Sequence, residues 1–495
     1  MIKFNKLLIF SVFLITGSLY IRAQESQSVE LKLTLGQAIE LAQKQSIQSF
    51  RNKNMYLAKY WEFRSYKGSR LPSLDLDASP LSYSSAYENI NNKSYDYNET
   101  LNSYGKLSIN QNVTLTGGVV SIFSDLRRYE NFVDDTSYFV STPVSLSFSQ
   151  PLSGYNEFRW QSKLEPLKFE KAKREYLQDS EGLAIRTVQF FFNLVADEIN
   201  LKITETNYNN ADTLYRIAKG RFEIGTVTQD ELLDLELGLL NARIDKVKSE
   251  LSLKQSQISL NSFLGLDEKV IIRCIVPNNI PDLELEMGKV LAIAIENNPE
   301  ILGYQQSLLQ AQQDIASTRA HTGLEISTGA TYGVNDQAVN LQGVYEPDFS
   351  KNASYYLRLS VPILDWGERR GQIQMAKANR DAIEAEVRQA RIDFNQNVFQ
   401  QVAEFNMQDE QVEIAAKADT VAALGYEVTK QRFLIDKVDV IKLNSARNSV
   451  DAARRNYVDA LRRYWNYYYS IRQLTLYDFE DGISLMKELD YLLEK

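Results

Sequence analysis

The sequence predicts an internally duplicated α+β membrane protein in which barrel strands are continued by a long α-helical coiled coil. Three features carry this expectation: self-similarity at two fixed offsets, strand-length stretches of apolar/polar alternation, and two very long stretches almost free of proline.

The duplication is read directly from residue matches. Leu33–Ile39 resembles Leu285–Leu291 at an offset of 252. Pro151, Leu152, Glu157 and Arg159 match Pro362, Ile363, Glu368 and Arg370 at an offset of 211. The same 211 pairs Arg221-Phe222 with Arg432-Phe433, Ile224 with Ile435 and Val227 with Val438. One offset held over so long a segment means no net insertion, as rigid helices require. The difference of 41 places extra residues in the first copy, between Pro72 and Pro151. The expected organisation is a signal peptide over 1–23, a first repeat over 24–266, a linker or equatorial segment over 267–284, a second repeat over 285–476, and a C-terminal equatorial segment or tail over 477–495.

The amino terminus has the pattern of a secretion signal. Lys3 and Lys6 precede the apolar run Leu7 to Ile15, and Ala23 offers a small residue at the expected cleavage point. No cysteine stands at that junction, so a lipid anchor is not expected there. The formal charge of −9 becomes −12 without Lys3, Lys6 and Arg22. No basic run of the kind that tracks phosphates is present, so nucleic acid is not an expected partner. With one histidine and one cysteine, neither a metal site, a cofactor nor histidine acid/base catalysis is expected. His321 reads as a helix-boundary residue and Cys274 as a small buried hydrophobe.

Beyond the leader no stretch approaches the ~20 apolar residues of a spanning helix, so a membrane crossing would have to be a closed barrel. The strand regions alternate. Leu74, Leu76 and Ala78 oppose Ser73, Asp75 and Asp77, and Val144, Leu146 and Phe148 oppose Ser145, Ser147 and Ser149. Leu324, Ile326 and Ala330 oppose Glu325, Ser327 and Gly329, while Leu357, Leu359 and Val361 oppose Arg358 and Ser360. A barrel wall with lipid outside and water inside has this pattern, and so does a soluble sandwich. Strands are expected over 72–84, 142–152, 324–333 and 354–363.

The helices favour the barrel reading. Residues 155–221 and 365–432 contain no internal proline except Pro166. Each can run ~67 residues, ~100 Å at ~1.5 Å per residue, where globular helices average ~11–12. Phe394, Val398, Val402, Phe405 and Val412 form a coiled-coil-like stripe. Shorter helices are expected over 34–68, 226–264 and 286–320, so that two stacked end to end match one long helix.

Asp365-Trp366-Gly367-Glu368-Arg369-Arg370 after Pro362, with Pro151 and Arg159 as their counterparts in copy one, resembles the strand-to-helix junction of the TolC-like outer-membrane efflux proteins. Arg221–Thr226 resembles the helix-turn-helix tip of that family, and the resemblance spans nearly the whole mature chain. It implies a homotrimer whose subunits each give four strands to one shared barrel in outer-membrane lipid. A helical tunnel in the periplasm then meets a periplasmic adaptor joined to an inner-membrane pump. A trimer also follows physically, because four strands cannot close a barrel and an open edge in lipid leaves backbone groups unpaired.

At the first tip, Ile224, Gly225, Thr226 and Val227 are the expected adaptor-docking residues. At the second tip Asp436 replaces the tip glycine, and the positions where the family carries acidic residues hold Lys442 and Ser445. The expected periplasmic gate is therefore Asp436 and Asp439, with Lys437 as a partner in the closed state. The extra residues, 86–141 in the main, form either an outer loop with an added hairpin or two further barrel strands, and the outer loop is the expectation. The function implied is an exit duct. The rival reading is a periplasmic coiled-coil adaptor or structural protein, which would need neither alternating strands nor the tyrosines Tyr83, Tyr87, Tyr95, Tyr97 and Tyr104 that suit membrane interfaces.

Overall fold

The computed structural model describes residues 30–90, 94–277, 280–346, 348–435, 437–438 and 440–487. The first copy runs β1 (Glu30–Thr34), α1 (Leu35–Gln45), α2 (Ile47–Gly68), β2 (Ser73–Ile90), β3 (Ser94–Val113), β4 (Gly118–Asn131), β5 (Thr136–Pro151), α3 (Glu157–Glu223) and α4 (Gln229–Leu264). There follow β6 (Ile271–Ile275), α5 (Met287–Asn297), α6 (Pro299–His321), β7 (Glu325–Ala338), β8 (Ser350–Ser360), α7 (Glu368–Asn406), α8 (Gln408–Leu434), α9 (Val440–Thr475), β9 (Tyr477–Asp478) and β10 (Ile483–Ser484).

Helix α3 is unbroken for 67 residues and passes through Pro166. Its expected counterpart is interrupted at Met407, which separates α7 from α8 while keeping a helical backbone (φ −83°, ψ −17°). Neither proline nor glycine stands at that break. The exposed apolar residues Ile392, Phe399, Met407, Ile414, Val421 and Val428 recur every seven residues, except for a step of eight into Met407. One residue beyond the heptad repeat must be absorbed there, and the helix breaks at that point.

The helices expected over 34–68 and 286–320 are each two. Ser46 lies between α1 and α2 in an extended conformation (φ −66°, ψ 148°), and Asn298 does the same between α5 and α6 (φ −66°, ψ 131°). Both are buried caps: Ser46 Oγ accepts from Ser49 N at 3.0 Å, and Asn298 Oδ1 accepts from Glu300 N at 2.9 Å. In the second copy Pro299 adds a stop, since it has no N–H with which to continue the preceding helix. The two breaks stand 252 residues apart, the offset already seen in the sequence.

The hydrophobic core sits where stacked short helices meet the long ones. Leu183, Val188, Phe191 and Phe192 of α3 pack with Leu260 and Leu264 of α4, Phe394 to Phe405 of α7, and Leu461, Tyr464 and Ile471 of α9. Parallel pairing of β1 with β6 ties the amino terminus into this belt. Cys274 on β6 is partly buried, which pushes its thiol pKa up, as for an inert apolar side chain. His321 closes α6, with Nδ1 2.8 Å from Ser317 O.

The belt also holds a buried ion cluster. Arg472 of α9 donates to Glu181 of α3 through Nε at 2.9 Å and Nη2 at 3.2 Å, and it also reaches Asp478 on β9. Tyr468 donates to Asp478 at 3.3 Å and to Glu480 at 3.0 Å. Burial would lower the Arg472 pKa, but the two carboxylates outweigh it and hold it above the ordinary value. Replacing Arg472 with Ala is expected to cost about 3–5 kcal/mol, because two buried carboxylates lose their counter-charge. A fall in the guanidinium midpoint of the detergent-solubilised protein checks this, and an unchanged midpoint would contradict it.

Candidate functional site: a channel wall with open edges

The strands form one antiparallel sheet in the order β2-β3-β4-β5-β7-β8, six strands among the described residues. The sheet holds two strands more than the four expected, and the segment expected as an outer loop supplies β3 and β4, which lie between β2 and β5. The alternation of Leu107 and Ile109 against Ser108 and Asn110 is the local signal of these strands.

Side-chain direction divides the sheet into two faces. Cross-strand partners put Leu74, Leu76, Leu107, Ile109, Ile122, Leu146, Phe148, Leu357 and Leu359 on one face, exposed to the surroundings. On β7 this face runs through Ile326, Thr328, Ala330, Tyr332 and Val334, about the length a tilted strand needs to cross a bilayer. The other face is polar and hydrogen-bonded across strands. Asn110 Nδ2 donates to Asp75 at 2.9 Å, and Ser121 Oγ donates to Asn110 Oδ1 at 2.7 Å. Apolar groups without and polar groups within fit a wall between lipid and water.

The strand-to-helix junctions lie at one end of this wall. Pro151 is the last residue of β5 and pairs with Ser327, and Arg159 stands in the first turn of α3, its N–H accepted by Asn156 Oδ1 at 3.0 Å. In the second copy Pro362 lies between β8 and α7, and the Asp365 carboxylate accepts from Gly367 N at 3.1 Å and Arg369 N at 3.2 Å. Those N–H groups hold the Asp365 carboxyl below its usual range. Trp366 adopts φ 50° and Gly367 φ 91°, and the indole is 89% exposed. Arg370 is exposed on α7, whereas the guanidinium against the α6–β7 turn is that of Arg369: a Cβ added to Gly323 would lie 2.9 Å from its Nη2.

One junction residue went unrecognised in the sequence. Besides capping α3, Asn156 donates from Nδ2 to Thr114 O at 2.8 Å and Leu115 O at 3.2 Å. Arg70, just past α2, reaches the Thr114 hydroxyl. Gly117 (φ 82°) lets the turn lie against Asn156, whose Cγ would stand 3.0 Å from an added Cβ. The β3–β4 turn is thus stapled to the helix ends, at the same end of the sheet as Pro151 and Trp366.

In the helical half, α3 packs on α4 and α9, and α9 packs on α8, so the lateral order is α4-α3-α9-α8. Nearer the sheet the order is α2-α3-α6-α7. The stripe read from sequence, Phe394, Val398, Val402, Phe405 and Val412, is buried within the chain. A second stripe was missed. On α4, Leu233, Leu237, Leu240, Ile244, Val247 and Leu251 follow steps of four and three, and all are more than half exposed. They face the same way as a coiled-coil seam, and the heptad-spaced residues of α7 and α8 are exposed on the opposite edge.

The family model for outer membrane efflux proteins matches residues 65–266 and 290–475, more than half of the chain. The chain belongs to the outer membrane efflux protein family. Outer membrane protein TolC of Vibrio cholerae is 22% identical over 360 residues, which cover 70% of this chain and 80% of that protein. The fold is similar to the CmeC outer membrane channel of Campylobacter jejuni, with TM-score 0.66, 16% identity, and 93% and 88% of the two chains covered. It also resembles the outer membrane protein VceC of Vibrio cholerae, with TM-score 0.62, 14% identity, and 89% and 95% covered. The function read from the sequence, an outer-membrane efflux channel, stands, and a periplasmic adaptor without a barrel is not favoured.

At the far end of this efflux protein are its two tips. Gly225 takes φ 79°, Thr226 N donates to Arg221 O at 2.9 Å, and Ile224 is 74% exposed. Val227 follows, and Thr228 caps α4 in a capping box with Glu231, which accounts for that acidic residue. At the second tip Lys437 N donates to Arg432 O at 2.9 Å, the same bond 211 residues on, and Lys437 is exposed. Asp436 and Asp439 lie outside the described residues.

Proposed function

We propose that three copies of this chain close into one exit duct, with a shared barrel in the outer membrane and the helical tunnel in the periplasm. The observation that carries this is that both lateral edges of the single chain are unsatisfied along their whole length. Among the described residues β2 and β8 each have one neighbouring strand, and α4 and α7–α8 each expose an apolar stripe. A lone chain in lipid would leave a row of unpaired N–H and C=O groups at several kcal/mol each. With six alternating strands, β8 runs opposite to β2, so the edge of one copy can pair antiparallel with the next. The α8 stripe of one copy meets the α4 stripe of its neighbour in the same ring.

The duct reading assigns roles to the tips. Ile224, Gly225, Thr226 and Val227 dock a periplasmic adaptor, which joins an inner-membrane pump. The tight turn holds Ile224 out as a small apolar contact. Asp436 and Asp439 form the periplasmic gate, six carboxylates around one opening under threefold symmetry, with Lys437 as an intersubunit partner when closed. Such a ring favours cations and is screened by salt.

Three outcomes are expected. Charged replacement of the stripe in Leu240→Asp/Ile244→Asp converts a detergent-stable trimer to monomers in native mass spectrometry, with helix content by circular dichroism unchanged. Asn241→Asp, off the stripe, leaves the trimer intact. A trimer surviving the double change would remove this reading. At the first tip, Ile224→Asp/Val227→Asp is expected to lower adaptor cross-linking and efflux at least tenfold while the trimer persists. Undiminished cross-linking would count against docking there. In planar bilayers Asp436→Asn/Asp439→Asn protein is expected to lose cation selectivity and block by multivalent cations, and unchanged values would end the gate assignment.

A further inference from the structure

We infer that residues 94–131 are part of the membrane wall, so that each copy contributes six strands and three copies close a barrel of eighteen. The inference rests on the exit-duct reading and adds the size and lining of its mouth.

Three independent observations place the added hairpin in the wall. First, β3 and β4 are not appended to an edge. They separate β2 from β5, with Leu76 opposite Leu107, Ile109 opposite Ile122, and Ile122 opposite Leu146. Removing them would leave β2 without a partner. Second, their outward residues Leu107, Ile109, Val120, Ile122 and Leu126 share the apolar face of β2 and β5, with Ser124 the one polar residue between Ile122 and Leu126. A loop over the mouth would have water on both sides and no reason to alternate. Third, the turn between them is at the helix end of the sheet. Asn156 and Arg70 hold Thr114 and Leu115 against α2 and α3, and the Leu115 side chain projects into the surroundings at 87% exposure. An outer loop cannot put its tip at the opposite end of the wall.

The consequence is geometric. With strands ~4.8 Å apart and tilted ~40°, twelve strands give a backbone radius of ~12 Å and eighteen give ~18 Å. The tunnel continues to draw four helix columns from each copy, so the mouth becomes wider than the duct that feeds it. The inner face of the added strands is also the bulkiest. It presents Tyr104, Lys106, Phe123, Arg127 and Tyr129; at the level of Phe123, β5 and β7 present Ser145, Ser147, Gly329, Thr331 and Gly333, and Val140 and Tyr138 of β5 lie opposite Arg127 and Tyr129. Lys106 Nζ lies 4.3 Å from the Phe123 ring centre, and Arg127 Nε lies 3.6 Å from Asp125 Oδ1. Three such ridges, aromatic and of both charge signs, would project into the widened lumen between smooth hydroxyl-lined walls.

Single cysteines in a Cys274→Ala background test this in the full-length trimer, reconstituted in bilayers. Ser108→Cys, Asn110→Cys and Ser121→Cys are expected to react with a membrane-impermeant maleimide at least tenfold faster than Leu107→Cys, Ile109→Cys and Ile122→Cys. A bilayer-dissolved thiol reagent is expected to show the reverse order. Equal, fast aqueous labelling at all six sites, in a protein that is still trimeric and conducting, would overturn the eighteen-stranded wall and leave the exit duct standing. Loss of the trimer in the unmodified protein would overturn both. Because a variant can fail to assemble, end-on image averages of the unmodified protein serve as a second measurement. A membrane ring ~1.5 times as wide as a twelve-stranded one is expected, and a ring of twelve-strand width would refute the inference.

Discussion

Every backbone N–H and C=O within a bilayer needs a hydrogen-bond partner, and the architecture of this chain follows from that constraint. Inside the sheet the requirement is met strand by strand. Among the described residues it fails at β2 and β8, the two rows with a neighbour on one side alone. Soluble proteins blunt such edges with charge, proline or a covering helix. Here both edges carry leucine and tyrosine on the outward face, Leu74 and Leu76 at one and Tyr355 and Leu357 at the other. Edges so apolar are edges meant to be paired.

The helical half poses the same problem in another form. Water can satisfy a helix's surroundings but not an aliphatic stripe repeated over about five helical turns. Apolar area removed from water returns roughly 25 cal/mol per Å², so a seam as long as that on α4 is a substantial driving force for association. The stripe along α7 and α8 keeps its phase by a step of eight at Met407. Above that point the long helix packs on α5 and α6, and below it mainly on α9. The break therefore falls where one stacked partner gives way to another. A helix that must serve two neighbours and one outward seam needs a single adjustment of register, and this is where it is made.

How far this was legible from the sequence depended on the range of the interaction. Periodic signals were readable: the expected long helix over 155–221 is α3 at Glu157–Glu223, and all four expected strands lie within or within a few residues of observed ones. Local caps were readable in principle but overlooked. Ser46 and Asn298 break helices whose apolar pattern runs on across them, and only the proline at 299 advertised the second break. The place of β3 and β4 in the sheet was less legible for a different reason. The alternation at Leu107 and Ile109 marks a strand, but no local signal says which end of the sheet a turn occupies. That information resides in Asn156 and Arg70, which act across more than 40 residues of chain. The α4 stripe was readable at heptad spacing. Spacing alone does not tell such a seam from the stripe of Phe394 to Val412, which the chain itself buries.

In the proposed trimer, the junction between sheet and helices is where two mismatched rings are reconciled. Four of the six strands lead directly into or out of a helix, but β3 and β4 have no helix of their own, so their turn ends in space that a simple strand-to-helix junction would leave empty. Its carbonyls and hydroxyl then need donors. Asn156 supplies two from the start of α3, Arg70 supplies one from the end of α2, and Gln111 closes the gap by donating to Arg70 O at 3.0 Å. The same asparagine already caps α3, so one side chain serves both rings. Width can thus be added to the wall without adding helices to the tunnel. An aperture set by strand number at one end and by helix number at the other separates two functions. Breadth belongs to the mouth, and in the proposed duct control of passage falls to the turns around Gly225 and Lys437.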